Sequence, residues 1–285
     1  MENDKPCAAC SWTEQRRDSC RYHSNIKLFY EMSNRGVWAI GSKLIVKETS
    51  DYPPNHEARD TQFVRSHTTI PVLEAVQEWT ENGRYFLVSK RVPGSTLYEL
   101  WPTMSETERE SVAKQTADYL RQLRSLTSTR MEGLGGEPIY SSFLFLVGDD
   151  IPHGPLASDE ELWEEMAKAL SKVPETVRLR FKQRMPPATP YTFTHGDLTT
   201  RNIMVSDGKV TGIIDWESSG FFPVWWEFVV TRVTNDDDDR AWKTLLRKHM
   251  EDHSDAEEFW MDYYSLRQYP TLDSHTQRLI RELEN

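Results

Sequence analysis

Three oxygen-bearing side chains follow two short apolar stretches in the second half of the sequence. Asp197 comes just after the apolar stretch 191–194, in the sequence His195-Gly196-Asp197-Leu198, and Asn202 lies five residues further on. Asp215 ends the next apolar stretch, 18 residues after Asp197. A carboxylate can orient and deprotonate a hydroxyl, and carboxylate and amide oxygens suit the magnesium that neutralises a triphosphate. The spacing therefore predicts a loop cluster with the groups that phosphoryl transfer needs.

The order of these residues resembles the aminoglycoside phosphotransferase and choline kinase branch of the protein-kinase-like fold. In that branch the catalytic loop reads His-Gly-Asp with an Asn five residues after the Asp, and the metal-binding Asp sits in a stretch such as Ile-Asp-Trp. His195-Gly196-Asp197 with Asn202 matches the first part, and Ile214-Asp215-Trp216 matches the second. The segment 223–227 is similar to fungal-type members, and the resemblance covers about residues 35–270.

The resemblance implies a role for each matched residue. Asp197 is expected to be the catalytic base or the residue that orients the substrate. His195 is expected to brace the catalytic loop, and Asn202 and Asp215 to ligate magnesium. ATP and Mg²⁺ are the implied cofactors. Many members phosphorylate a hydroxyl on an amine-bearing small molecule, so we expect a small-molecule hydroxyl acceptor as partner. The acidic balance of the C-terminal half suits an acceptor that is cationic or polyhydroxylated.

A lysine in the N-terminal half is the expected phosphate ligand. Lys47, in the stretch 44–48, resembles the strand lysine that reaches the α- and β-phosphates. A buried lysine needs a carboxylate partner, because burial alone would lower its pKa and remove the charge. Glu57, which opens a short helical pattern, is the first choice of partner, and Asp60 is the alternative.

Residues 89–94 align with the hinge between the lobes of the resembled fold. Backbone groups of Lys90 and Val92 would hold the adenine edge there, and Pro93-Gly94 marks the turn where the chain leaves the small sheet. The stretch 34–42 has only two glycines and lacks the Gly-x-Gly-x-x-Gly pattern of protein kinases. Small-molecule kinases of the resembled branch often do without it.

The order of the strands and helices expected around these residues predicts an α+β protein with two lobes. A small β-rich N-lobe (26–92) would carry the nucleotide-binding sheet and one helix, and a larger, mostly helical C-lobe (93–285) would carry the catalytic loop, the metal site and acceptor-binding helices. Apolar alternation and helical spacing predict strands at 37–40, 44–47, 72–76 and 84–89, and later helices at 224–233, 240–252, 255–267 and 273–284.

Other segments of the C-lobe are expected to serve structure or substrate access. Ser105 and Ser158 begin sequences typical of helix N-caps. The Gly- and Pro-rich stretch 133–155 is a candidate substrate-side loop. Trp225 and Trp226 are expected to pack in the core, and the acidic run 236–239 to be a solvated loop that helps start a helix at 240.

The first 25 residues contain all three cysteines of the protein in one pattern. Cys7 and Cys10 form one close pair, and Cys20 and His23 form a second. Two such pairs are what a tetrahedral structural Zn²⁺ needs, so this N-terminal arm (1–25) is a possible zinc-binding element. The alternative is a packed arm with buried, reduced thiols.

Composition narrows the class of protein. The 285 residues include 45 acids and 34 bases, a formal charge of -11, so no nucleic-acid or anionic-membrane partner is expected. The sequence has no apolar run near the ~20 residues that span a bilayer. Three cysteines make a disulfide framework improbable, and we expect a cytoplasmic location.

The function predicted from these features is ATP-dependent phosphorylation of a small-molecule hydroxyl. One alternative is a catalytically silent relative that binds nucleotide or a partner protein. A protein kinase is a further alternative, which the missing glycine-rich loop and the short interval between Asp215 and Pro223 disfavour.

Overall fold

A five-stranded antiparallel sheet forms the N-terminal part of the protein. The computed structural model describes residues 26–32, 34–148 and 150–284, so Cys7, Cys10, Cys20 and His23 lie outside the described residues. The strands are ordered β1-β2-β3-β5-β4 in the sheet. Their bounds are β1 Ile26–Met32, β2 Arg35–Ile40, β3 Leu44–Ser50, β4 Ala75–Glu81 and β5 Arg84–Lys90.

The central strand β3 carries Lys47, and helix α1 (Glu57–His67) follows it before β4. Lys47 is in register with Val37 of β2 and Leu87 of β5, so both neighbouring strands fix its backbone. The buried face of α1 includes two acids, Glu57 and Asp60, beside apolar residues. The helix therefore presents carboxylates to the interior close to the strand that carries the lysine.

Strand β4 lies later in the sequence than the predicted 72–76. Val72 instead forms an isolated parallel bridge with Ile213 of the C-terminal half, and Leu73 is buried. Every residue of Ala75–Glu81 is exposed, and β4 lies at the edge of the sheet. Such a strand lacks the alternation of buried and exposed residues on which the prediction depended.

The C-terminal part consists of helices around two small sheets, β10-β9-β6 and β11-β8-β7. The predicted α+β layout, a β-rich N-terminal region followed by a mostly helical one, is confirmed. The strands are β6 Ser95–Thr96, β7 Thr127–Ser128, β8 Tyr191–Thr194, β9 Ile203–Ser206, β10 Lys209–Ile213 and β11 Gly220–Pro223. The helices are α2 Leu97–Leu100, α3 Glu106–Arg124, α4 Ser142–Phe145, α5 Asp159–Ala167, α6 Glu175–Lys182, α7 Trp226–Val230, α8 Asp237–Arg247, α9 Ser254–Leu266 and α10 Ser274–Glu284.

Polar caps set where several helices begin. Ser105 forms a complete capping box with Glu108 at the start of α3, and Ser158 accepts a hydrogen bond from the Glu161 amide at the start of α5. Both predicted caps are confirmed. Helix α8 begins three residues before the predicted position 240, because the Asp236 side chain caps it by accepting from the Asp239 amide.

A large hydrophobic core lies within the helical part. Trp225 and Trp226 are buried there, as predicted. The insert 133–155 contributes Leu144, Phe145 and Leu146 to the same core, while Phe143 stays half exposed. Among the residues that the structure describes, no helix is both long and apolar enough to cross a bilayer.

Candidate active site

The loop between β8 and β9 has a conformation that requires glycine at position 196. Gly196 has φ +82°, in the left-handed region, and a Cβ atom there would lie 2.8 Å from the carbonyl oxygen of Ser218. Glycine therefore lets this loop lie against the segment that follows Asp215. This close approach brings the loop that carries Asp197 and Asn202 next to the segment that begins with Asp215.

His195 ties the loop to the strand that leads to Asp215. Its ring is fully buried, and Nε2 lies 3.0 Å from the carbonyl oxygen of Ile214. The Asp197 amide donates to Nδ1 at 3.1 Å, so Nδ1 is the acceptor and Nε2 carries the proton. Burial lowers the pKa of His195 to about 4, which keeps the ring neutral and suits it to bracing rather than proton transfer.

Asn202 and Asp197 are held together across the loop. The Asn202 side-chain amide donates to the Asp197 carbonyl at 2.8 Å and to Asp197 Oδ2 at 3.0 Å. The amide oxygen of Asn202, the atom suited to a cation, therefore points away from Asp197. Burial, with a further contribution from the charge of Asp215, raises the pKa of Asp197 to about 6.

Asp215 reaches the same place from the neighbouring strand. Ile203 and Ile213 are paired in the β9–β10 ladder, and the Ile214 amide donates to the carbonyl oxygen of Asn202 at 3.0 Å. Asp215 follows directly and has φ 67° and ψ 59°. A left-handed conformation is uncommon outside glycine and is often found at functional sites. The structure thus brings Asp197, Asn202 and Asp215 together.

Lys47 of β3 lies against three carboxylates. Its Nζ atom is 2.7 Å from Glu57 Oε2 and 2.9 Å from Glu217 Oε2, and it also contacts Asp215 Oδ1. Burial alone would lower the pKa of Lys47, but these three negative charges raise it well above its usual value. Of the two partners considered for Lys47, the structure selects Glu57, while Asp60 accepts from the Ser219 hydroxyl at 3.0 Å.

Two further residues complete this cluster, and the sequence reasoning assigned neither. Arg35, at the start of β2, pairs with Glu217 and lies 3.5 Å from Asp215. Glu217 also contacts Lys47. Its position two residues after Asp215 is the only feature of the sequence that points to a place in the site. Carboxylate oxygens of Glu57, Asp215 and Glu217 lie within 4.8 Å of one another. This arrangement can bind a divalent cation, and Lys47 and Arg35 add positive charge next to it.

Glu227 anchors the start of the loop between β8 and β9. Its carboxylate accepts from the His195 amide at 2.7 Å and from the Gly196 amide at 3.4 Å. Burial raises the pKa of Glu227 to about 7. Trp225 and Trp226 of the same segment pack in the core as predicted, while Glu227 binds backbone groups of the loop.

Asp239 corrects the prediction for the acidic run 236–239. This run is not a solvated loop throughout, because Asp239 is fully buried in helix α8 and pairs with Lys243 at 3.1 Å. Its Oδ1 accepts from the Thr200 amide at 2.9 Å. Four consecutive aspartates look alike in the sequence, and only the helix that Asp236 caps turns one of them inward.

The segment predicted as the hinge follows strand β5. The Lys90 amide donates to the carbonyl oxygen of Glu74 at 2.9 Å, and the Lys90 ammonium pairs with the Glu74 carboxylate at 2.5 Å. The Lys90 N–H is therefore already satisfied within the protein. Val92 is half buried and packs against the small core of the N-terminal region.

The chain belongs to the phosphotransferase enzyme family, whose sequence pattern matches residues 34–260. The match spans the cluster of Lys47, Asp197, Asn202 and Asp215. It includes the N-terminal sheet as well as the helical region, and so covers both parts of the fold.

Individual relatives are distant. The chain is 22% identical over 164 residues to hygromycin-B 4-O-kinase from Escherichia coli, covering 56% of this chain and 46% of that protein. It is 25% identical over 170 residues to an aminoglycoside 3'-phosphotransferase from Streptomyces fradiae, covering 59% of each. The chain thus spans about half the length of these curated relatives.

The solved streptomycin-ATP-APH(2")-IIa ternary complex matches with a TM-score of 0.55 and 14% identity, covering 95% of this chain and 94% of that one. The fold is therefore the two-lobed kinase-like fold.

Proposed function

We propose that this protein transfers a phosphoryl group from ATP to a hydroxyl of a small molecule. The observation that carries the proposal is the meeting of Asp197, Asn202 and Asp215 beside the Lys47–Glu57 pair. Membership in the phosphotransferase family supports the same reaction class. A named relative is a hygromycin-B kinase, and a structure with the same fold contains ATP, which supports ATP as the donor.

Asp197 is proposed as the catalytic base. Its pKa of about 6 leaves the carboxylate ionised at neutral pH, yet close enough to that pH to accept a proton from the acceptor hydroxyl. One bond from the Asn202 amide holds Oδ2, so the orientation of the carboxylate is fixed before the substrate binds. His195 would act by holding the loop, consistent with its burial and neutral ring.

Asp215 and Asn202 are proposed as ligands for Mg²⁺, with Glu217 as a third candidate. The donors fit this ion, since Mg²⁺ prefers oxygen ligands and the carboxylates of Asp215 and Glu217 converge within 4.8 Å. When bound, Mg²⁺ would neutralise charge on the phosphates. Glu57 is assigned a different task, because it lies 1% exposed behind Lys47 and holds that ammonium in place.

Lys47 and Arg35 are proposed to face the nucleotide phosphates. Both are held by carboxylates of the metal cluster, so their charges already lie where the phosphates would arrive. Arg35 begins β2, within the stretch 34–42 that lacks the Gly-x-Gly-x-x-Gly pattern of protein kinases. At the hinge, Val92 and the carbonyl of Lys90 are proposed to contact adenine, since the Lys90 N–H is already bonded to Glu74.

The acceptor is proposed to bind beside Asp197, where a cavity of about 40 Å³ opens. Phe143 of the 133–155 insert and Lys243 of α8 share this cavity with Asp197. This shared wall supports the insert as a substrate-side segment. We retain a cationic or polyhydroxylated acceptor as the class to screen first, because the named relatives act on hygromycin B and aminoglycosides.

The proposal includes a cytoplasmic location, which the small number of cysteines supports.

The proposal is tested by incubating the purified protein with Mg²⁺-ATP and a panel of amines, aminoglycosides, sugars and hydroxylated metabolites. A phosphate monoester that forms only with both ATP and one acceptor class would support it. ATP binding with no phosphorylated product across the panel would favour a silent, nucleotide-binding relative instead.

For the N-terminal arm we propose a structural Zn²⁺ held by Cys7, Cys10, Cys20 and His23. The support is their spacing and the confinement of all three thiols to this pattern. Protein purified without chelator should contain about one equivalent of zinc, and Cys10→Ser should lose it. The absence of zinc by elemental analysis would indicate reduced thiols without a metal.

A further inference from the structure

Helix α8 contacts the catalytic loop at two points between Asp197 and Asn202. Asp239 accepts from the Thr200 amide at 2.9 Å, and the Trp242 indole N–H donates to the carbonyl oxygen of Leu198 at 3.0 Å. Asp239 and Trp242 lie three residues apart and therefore on one face of the helix. The loop thus has a fixed attachment to a helix of the C-terminal part.

The carboxylate of Asp239 uses both of its oxygens. Oδ1 accepts from Thr200, while Oδ2 accepts from the Asn235 amide at 3.1 Å and pairs with Lys243 at 3.1 Å. Lys243 is itself buried and donates to the carbonyl oxygen of Val233 at 2.6 Å. Three donors converge on a group that accepts only, so a carboxylate satisfies this position and an amide cannot.

Asp239 is one of several anchors of the segment 195–202. These residues join β8 to β9 without forming a strand or a helix, so no sheet ladder fixes the Thr200 amide, while the Thr200 carbonyl oxygen accepts from the Tyr98 amide at 2.9 Å. Thr200 lies three residues after Asp197 and two before Asn202. A movement of Thr200 would therefore displace both groups relative to one another.

We infer that Asp239 is a positioning residue for phosphoryl transfer, which fixes the catalytic loop through the Thr200 amide. This inference rests on the proposed function, because it assigns Asp239 a task in that reaction. Asp239 touches neither nucleotide nor acceptor in this account and acts only through the loop. Displacement of a reacting group by about 1 Å can cost on the order of 10²-fold in rate, so losing this contact should reduce kcat about 10- to 100-fold.

Two double variants separate the loop contact from the buried ion pair. Asp239→Leu with Lys243→Met removes the acceptor for Thr200 and leaves no unpaired buried charge. Asp239→Asn with Lys243→Met removes the same charges but keeps a side-chain oxygen for Thr200. Both double variants lack the Lys243 ammonium, and both lack the oxygen that accepts from the Asn235 amide. A difference between the two variants therefore reports only on the contact with Thr200. Asp237→Asn is the matched surface control, because Asp237 belongs to the same acidic run and its side chain is 94% exposed.

The leucine variant should have a kcat about 10- to 100-fold below that of the asparagine variant, with similar KM for ATP and similar affinity for Mg²⁺-ATP by calorimetry. Asp237→Asn should match the wild type. Equal kcat values in the two double variants would overturn the inference. So would a parallel loss of kcat, nucleotide affinity and melting temperature in the leucine variant, which would indicate a purely structural role.

Two further measurements test the inference if a double variant does not fold or if the protein phosphorylates no acceptor. Trp242→Phe removes the bond to Leu198 while keeping an aromatic ring in the core, and it should also lower kcat without changing the KM for ATP. If the wild type phosphorylates no acceptor, the proposed function fails by itself. Hydrogen exchange of the peptide covering 197–202 still tests the contact: it should be faster in the leucine than in the asparagine variant, and equal exchange would refute the contact.

Discussion

The Lys47–Glu57 pair allows a graded test of how the N-terminal region positions its lysine. Nζ of Lys47 lies 2.7 Å from Glu57 Oε2, and the two side chains are 12% and 1% exposed. Hydrogen bonds to charged groups are worth about 1.5–3 kcal/mol. Glu57→Gln keeps such a bond, because Lys47 stays an ammonium, and loses only the charge of the carboxylate. It should cost part of that energy, about 1 kcal/mol, which is a loss of about fivefold in kcat/KM for ATP. Glu57→Ala removes the whole bond, about 2 kcal/mol, and should cost about 30-fold.

Stability should change much less than activity in the glutamine variant. Lys47 keeps Asp215 and Glu217 as partners, so no uncompensated buried charge is created. The cluster holds three carboxylates and two cations, and removing one negative charge brings it into balance. Without Glu57 the ammonium loses one of its three carboxylate contacts, so its position is less well fixed.

The assay is steady-state phosphorylation of the acceptor at varied ATP, with thermal melting of each variant. Glu48→Gln is the control, because Glu48 is the neighbouring residue on β3 and pairs with Arg84 in a partly exposed ion pair. Such pairs contribute about 0–1 kcal/mol, so this variant should keep wild-type kinetics. Wild-type kcat/KM in both Glu57 variants would refute the assignment of Glu57, as would a loss in Glu48→Gln equal to theirs.

Three further predictions follow from the site. Because Asp197 must be ionised to accept a proton and burial raises its pKa to about 6, kcat/KM should fall as the pH drops through about 6; a profile flat from pH 5 to 8 would contradict its role. Calorimetry should find a larger loss of Mg²⁺-dependent ATP affinity for Asp215→Ala than for Asn202→Ala, since a charged ligand outweighs a neutral amide, and the reverse order would count against these metal roles. Burial raises the pKa of Glu227 to about 7, so the folded state holds this proton more tightly than the unfolded chain does, and this contribution to stability declines between pH 4.5 and 7. The melting temperature of Glu227→Gln should therefore fall less between pH 4.5 and 7 than that of the wild type. An equal fall in the two proteins would refute this prediction.

The parts of the site that the sequence could predict are those with local signals. Asp197 and Asp215 each follow a short strand and Asn202 directly precedes one, and strand pairing between β9 and β10 is enough to bring Asn202 and Asp215 together. The choice between Glu57 and Asp60 could not be made from the sequence. The two acids lie one turn apart on the same buried face of α1, and only the packing of that helix gives Glu57 to Lys47 and Asp60 to Ser219.

The residues that sequence reasoning missed depend on tertiary contacts. Arg35 reaches Asp215 and Glu217 across more than half of the chain, and no local pattern connects them. Glu227 and Asp239 are ordinary acids by type, and they become supports for the loop only when α7 and α8 pack beneath it. The edge strand β4 was misplaced for a related reason, since its exposed residues carry no burial pattern.

Phosphorus NMR of acceptor screening reactions with wild-type protein and Asp197→Asn tests the central claim most directly. With Mg²⁺-ATP, the wild type should convert one class of hydroxyl acceptor to a phosphate monoester. The Asp197→Asn variant should bind Mg²⁺-ATP and melt like the wild type, but form that product about 10²- to 10⁴-fold more slowly. Equal product formation by the two proteins would contradict the account, and so would nucleotide binding by the wild type with no monoester from any acceptor.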